Sequence, residues 1–148
     1  MNPFIHVELN SPDPDKAKVF YGKLFQWQLE GMPNAPVSDD PYTVIKVGEG
    51  TGGGIMKQFA NGPVGWIPYV LVADVRASTD KAKSLGGKVM KDVTEMPDMG
   101  SFSVIQDPTG SVLGLWQHNP KMMEAQNNAK ETAPPAAKQS AENPARVG

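Results

Sequence analysis

Phe4-Ile5-His6-Val7-Glu8-Leu9, followed by Asn10-Ser11-Pro12-Asp13-Pro14, is the stretch on which the fold turns. The first six residues alternate as a strand does, with Phe4, His6 and Glu8 on one face and Ile5, Val7 and Leu9 on the other. The second set is purely apolar and suits packing against a helix. The first sets an imidazole and a carboxylate two residues apart on a face that must border a cavity or solvent. The next five residues break the strand, with Asp13 placed as an N-cap and Pro14 at the first helical position. A helix is expected over about 14–25, with Ala17, Phe20, Tyr21 and Leu24 forming one apolar stripe.

Working outward, Trp27 and Leu29 begin a second strand that Gly31 and Pro33 end, and a polar loop runs through Asp40-Pro41. Tyr42–Val47 is a third strand and the glycine-rich segment Gly52–Lys57 a fourth. Glycines inside a strand suggest a bulge or a close backbone approach. No Lys-Ser/Thr and no helix follow Gly52-Gly53-Gly54, so a phosphate-binding loop is excluded. Residues 60–65 read as a linker, and then the pattern begins again. Trp66–Val75 is a strand, Arg76–Leu85 a helix stopped by Gly86-Gly87, and Val89-Met90 the start of another strand. After a loop at 96–100, Ser101–Gln106 and Ser111–Gln117 are strands joined by the turn Asp107-Pro108-Thr109-Gly110. The order β-α-β-β-β thus occurs twice. Asp-Lys-Ala-Lys appears in both helices, at 15–18 and 80–83, but the repeated element order is the better argument for duplication.

The chain has 148 residues, with 14 basic and 16 acidic side chains and a net charge of −2. No basic cluster longer than a pair exists, so no nucleic-acid partner is expected. The absence of cysteine excludes a disulfide framework, a thiolate zinc site and a cysteine nucleophile. No run approaches about 18 apolar residues, so no membrane span is expected. No basic segment leads into an apolar run at the N-terminus, so a cytoplasmic location is the expectation. Residues 120–148 contain no Phe, Trp or Tyr and carry four prolines. They read as a disordered, flexible tail, with a helical turn or two around 121–130.

These pieces together resemble the vicinal oxygen chelate superfamily, which includes glyoxalase I, extradiol dioxygenases and bleomycin-resistance proteins. Asp13-Pro14-Asp15, Ala17-Lys18-Val19-Phe20-Tyr21 and Leu24-Phe25-Gln26-Trp27 resemble the family's first helix. Leu85–Val89 resembles the end of its second helix, and Trp66, Tyr69, Val70, Val72, Asp74 and Val75 the strand opening its second half. Asp107–Gly110 with Leu113-Gly114-Leu115-Trp116-Gln117 resembles the closing hairpin. His6-Val7-Glu8-Leu9 is similar to the first strand of a glyoxalase-related subgroup of unassigned activity. The resemblance implies an α+β fold over residues 1–119, in which modules 1–60 and 64–119 form paired half-barrels around a cavity. It also makes a homodimer the expected assembly.

Metal-dependent members place one ligand on the first and one on the fourth strand of each module. Here the first position falls on His6, a good ligand, and the second within Gly52–Met56, where no side chain binds a metal. The third falls near Ile67–Leu71, where only Tyr69 carries a polar atom, and the fourth on Gly114. His6 is the only matching ligand, and divalent transition metals usually take three or more protein ligands. No cofactor and no glyoxalase I activity are therefore expected.

The candidate catalytic residues are His6 and Glu8, an acid/base pair or else a buried, hydrogen-bonded pair that fixes the strand. Trp66, Tyr69, Gly114 and Trp116 are candidate substrate-binding residues, with core or interface packing as the alternative for the aromatic three. Met56, Met90, Met96 and Met99 read as gap-filling core or as an adaptable cavity wall. His118 is expected at the solvent-exposed end of the last strand. The leading expectation is a small-molecule-binding protein, acting as a metal-independent lyase, isomerase or hydrolase through His6 or Glu8. The alternatives are a non-catalytic sequestering protein of the bleomycin-resistance type, and a metal-dependent lyase or dioxygenase with atypical ligands.

Overall fold

The computed structural model describes residues 1–32 and 41–131. The first module comprises β1 (Phe4–Ser11), α1 (Pro14–Leu24), β2 (Gln28–Met32), β3 (Tyr42–Lys46) and β4 (Gly53–Lys57). The second comprises β5 (Gly65–Leu71), α2 (Val75–Ser84), β6 (Lys88–Met96), β7 (Gly100–Gln106) and β8 (Val112–His118). The duplicated β-α-β-β-β order is therefore present. The loop expected between Pro33 and Asp40 falls outside the described residues.

Both helices start as the sequence dictates. Asp13 accepts a hydrogen bond from the Lys16 backbone N–H and Asp74 one from that of Ala77, which satisfies donors left open by the first helical turn. These caps align the modules and correct one reading. Asp15 is the second residue of α1, whereas Asp80 is the sixth of α2. The two Asp-Lys-Ala-Lys tetrapeptides sit one turn apart in equivalent helices, so they are a coincidence of helix-forming residues; the element order carries the duplication.

Among the described residues the strands form one eight-stranded sheet in the order β2-β3-β4-β1-β5-β8-β7-β6. Within each module the first strand lies parallel to the last, β1 beside β4 and β5 beside β8. The modules meet at the centre, where β1 and β5 pair antiparallel with His6 opposite Tyr69 and Glu8 opposite Ile67. A bulge between Phe4 and His6 breaks the alternation at the start of β1. Phe4 is consequently exposed, and Ile5 joins His6 and Glu8 in facing the cavity.

Alternation assigns the two faces. Leu9, Ile45 and Ile55 form a buried cluster under α1, closed by Ala17, Tyr21, Trp27 and Leu29. Under α2, the hydroxyls of Thr79 and Ser103 lie 2.8 Å apart, both fully buried. The opposite face carries Ile67, Tyr69, Phe102 and Val104, packed by Phe59, Met90, Met96, Val112 and Trp116. Met32 of β2 and Met96 of β6, from the two outermost strands, border the same cavity. The sheet therefore curls into two half-barrels that face each other, with the helices outside.

Residues Pro120–Glu131 form a third helix, α3, rather than the turn or two expected there. The rest of the expected flexible tail, 132–148, lies outside the described residues.

Two glycines keep the concave face open. A Cβ on Gly54 would overlap the Tyr42 hydroxyl, and one on Gly114 would overlap the Tyr69 ring. Gly31, with nothing within 4 Å of its missing Cβ, is the natural control. Gly114→Ala is expected to lower the unfolding free energy by about 1–3 kcal/mol through overpacking. Gly31→Ala is expected to change it by less than about 0.5 kcal/mol. Urea denaturation of the two variants checks this.

Candidate active site

The concave face encloses a cavity of about 420 Å³. Glu8 lies on its floor, on the central strand β1. The sequence places it five residues before the N-cap Asp13, just as Tyr69 stands five residues before the N-cap Asp74. The duplicated module thus sets these two side chains at equivalent positions on the paired central strands. The Tyr69 hydroxyl donates to Glu8 Oε1 at 3.1 Å, and Asn10 Nδ2 donates to the same oxygen at 3.3 Å. Tyr42, at the start of β3, helps hold the Glu8 proton affinity down, and its hydroxyl lies 2.7 Å from His6 Nε2, in a hydrogen bond whose donor depends on the His6 tautomer.

Burial decides the charge states. It pushes the Glu8 carboxyl above the ordinary carboxylate range; the bonds from Tyr69, Asn10 and Tyr42 and the Lys91 charge pull it back only in part. Burial lowers His6 and keeps its ring neutral. Tyr42 and Tyr69 are both raised, first by burial and then by the negative charge of Glu8, so both remain protonated donors. Asn10 is completely buried, and its Oδ1 has no hydrogen-bond partner among the described residues.

A run of rings surrounds this polar group. His6 stacks on Tyr42 with centroids 6.5 Å apart and meets the edge of Tyr69 at 5.9 Å. Tyr69 meets Phe102 at 6.2 Å, and Phe102 stacks on Trp116 at 6.5 Å. Trp116 Nε1 donates to His118 Nδ1 at 3.0 Å. Met32, Met56, Met96 and Met99 complete much of the wall.

His6, Glu8, Tyr69 and Trp116 are thus brought together at one cavity. Gly114 contributes no side chain; it is the floor across which the Tyr69 ring lies. Trp66 does not line the cavity. It stands three residues from Tyr69 on one strand, and an odd spacing puts it on the other face. There it is 37% exposed and donates to the Tyr21 hydroxyl at 3.3 Å, beside Trp27. His118 lines the cavity and is only partly exposed, contrary to the solvent-exposed expectation, because β8 runs one residue further than expected. Of the four methionines considered, Met90 belongs to the core cluster and the other three border the cavity. Tyr42 and Phe102 were missed. Alternation held the signal for Tyr42: with Thr43 and Ile45 committed to the helix side, Tyr42 and Val44 must face the other way.

The family model of the Glyoxalase/Bleomycin resistance protein/Dioxygenase superfamily matches residues 4–115, and the chain belongs to that superfamily. It is 35% identical over 117 residues to a protein named "Putative glyoxylase CFP32" from Mycobacterium bovis (strain ATCC BAA-935 / AF2122/97). The same figures hold for its namesake from Mycobacterium tuberculosis (strain CDC 1551 / Oshkosh). Each match takes in 76% of this chain and 44% of the relative, so the chain spans less than half the length of these relatives. Among solved structures, hypothetical protein BH1468 from Bacillus halodurans C-125 superposes with a TM-score of 0.60 at 13% identity, over 80% of this chain and 95% of that one. Methylmalonyl-CoA epimerase from Mycobacterium tuberculosis gives a TM-score of 0.57 at 17% identity, over 82% and 91%. At such identities the likeness is one of fold alone.

The side chains present do not fit a divalent transition metal at the fold's four positions. Among the described residues, no three His, Cys, Asp or Glu side chains gather in one place. Among the described residues Glu8 is the one carboxylate on the cavity wall, and the tyrosine-covered Gly54 and Gly114 occupy the fourth-strand positions. Fewer than the three ligands such ions usually take are available.

The two shifts give opposite pH signatures. Glu8 binds its proton more tightly folded than unfolded. Its contribution to stability is therefore full below pH 4.5, its ordinary value, and is lost as pH rises through the higher folded value. His6 holds its proton less tightly when folded, so its contribution is present above pH 6.5 and lost as pH falls through the lower folded value. Relative to the wild type, Glu8→Gln is expected to gain unfolding free energy as pH rises from 4.5 towards neutrality. His6→Gln is expected to gain it as pH falls below 6.5. Urea unfolding across this range reads both, and a Glu8→Gln difference that stays flat with pH would contradict the burial-driven shift.

Proposed function

We propose that this chain takes up a compact, mainly apolar small molecule in its cavity and exchanges a proton with it at Glu8, without a metal. The observation that carries this reading is the Glu8 carboxyl itself. It is a proton-holding group on the floor of a cavity walled by methionines and aromatic rings, with its affinity for the proton raised by burial. A general base or acid works best when its proton affinity approaches the surrounding pH, and desolvation moves a carboxyl in that direction. Tyr69 and Asn10 fix the carboxyl in place. Tyr42 joins it to His6, so that His6 acts as a positioning residue that orients the Tyr42 phenol. The class of reaction is a proton transfer of isomerase or lyase type. The glyoxylase name of the mycobacterial relatives is compatible with such chemistry, but it belongs to proteins more than twice as long as the matched segment.

A second reading is a sequestering protein with no chemistry. The methionine-rich wall favours it, because unbranched thioether side chains adapt to ligands of varied shape.

One experiment separates the two. A thermal-shift screen finds compounds that raise the unfolding midpoint, and proton–deuterium exchange into each bound compound is then followed by NMR. The wild type is expected to catalyse exchange, and Glu8→Gln to slow it by about 10²–10⁴-fold at saturating compound. Exchange that survives in Glu8→Gln removes the catalytic role. Tight binding with no exchange for any compound leaves the sequestering reading.

A further inference from the structure

The charge of the ligand is written into the wall of the cavity. Among the described residues its lining contains one carboxylate, Glu8, and neither lysine nor arginine. Its two histidines do not change that balance. Burial keeps His6 uncharged, and His118 is engaged through Nδ1 by the Trp116 N–H. A ligand phosphate, carboxylate or sulfonate would enter with no cation to meet it and a buried carboxylate beside it. A positive ligand meets the opposite. It finds Glu8 on the floor and, around it, the faces and edges of Tyr42, Tyr69, Phe102 and Trp116. Rings with their negative faces towards a desolvated cation attract it.

We propose that the cavity selects lipophilic monocations, a tertiary or quaternary ammonium borne on an aromatic or branched apolar body, with Glu8 as the counter-ion. The inference rests on the reading of the cavity as the small-molecule site and adds the class of molecule. The protein already uses the same contact beside the cavity, where Lys91 pairs with Val104 and shares its sheet face. The Lys91 ammonium, which is not part of the lining, stands 6.0 Å from the Phe102 ring centroid and 5.3 Å from that of Phe59. Lys91 also exerts a charge on Glu8, but it is not among the described residues that line the cavity. A bound cation also does what proton transfer requires. An opposite charge next to a buried carboxyl favours its ionised form, and that form is the one able to accept a proton. Ligand charge and the generation of the base are therefore one event.

The test compares two molecules of one shape. Phenyltrimethylammonium and tert-butylbenzene differ by one positive charge, and benzenesulfonate supplies the negative counterpart. Isothermal titration calorimetry of the full chain is expected to show the ammonium binding at least about tenfold more tightly than the hydrocarbon, as a desolvated cation–π site with a counter-ion requires. The sulfonate is expected not to bind. Glu8→Gln should bring the ammonium and the hydrocarbon to within about threefold of each other while the hydrocarbon affinity stays as it was; Trp116→Leu should weaken the ammonium more than the hydrocarbon. The wild-type comparison needs no variant and stands even if one fails to fold. Hydrocarbon binding that equals or exceeds ammonium binding overturns the cation preference and leaves the cavity reading intact. Sulfonate binding as tight as that of the ammonium overturns the charge argument in the same way. Failure of all three compounds to bind overturns both.

Discussion

The antiparallel pairing of β1 with β5 is the constraint on which the rest of this structure depends. It joins two modules, each of which has a parallel inner pair, into one sheet that curls about its own centre. It also fixes the register that sets His6 opposite Tyr69 and Glu8 opposite Ile67. From there the Tyr69 phenol lies diagonally across from Glu8 and reaches its carboxyl. Because side chains alternate with a period of two, a slip of one residue would send Glu8 to the helix side and Leu9 into the cavity. The buried carboxyl and its donors are consequences of that single pairing.

Burying Glu8 is costly, and the structure shows how the cost is offset. An unpaired ion in an apolar interior is unfavourable by far more than any one hydrogen bond returns. Here two phenols and an amide converge on the carboxyl, yet its proton affinity stays raised. The site is therefore poised between its charged and neutral forms. The glycines make this geometry attainable. Gly54 lets the Tyr42 hydroxyl settle against β4, and Gly114 lets the Tyr69 ring lie flat on β8. On both fourth strands the space that a side chain would take is filled by a tyrosine from another strand.

How much of the site was legible in the sequence follows from how local each signal is. His6 and Glu8 on one strand face needed only alternation, and the caps at Asp13 and Asp74 needed only the strand-to-helix junction. Trp66 was misplaced because its aromatic character was weighed and its parity relative to Tyr69 was not. Tyr42 was missed because its role depends on β3 lying two strands away from β1 with β4 between them, and on Gly54 being bare. His118 was misjudged because one further residue of β8 brings it to the cavity rim, and strand ends are set by pairing with a neighbour. The Asp-Lys-Ala-Lys repeat, already the weaker argument for duplication, is local similarity without structural equivalence.

The sequence by itself determined the two β-α-β-β-β units, the helix starts, the superfamily resemblance and the polar pair on the first strand. All of these rest on interactions within a few residues: strand alternation, capping and turn chemistry. Only the tertiary structure decided that Glu8 is held by Tyr69 and Asn10, that Trp66 belongs to the helix side, and that among the described residues the cavity wall carries one acid and no lysine or arginine. Those facts depend on the register between strands far apart in the chain and on the desolvation that a closed sheet imposes. Neither quantity has a local signature, because both arise from long-range pairing.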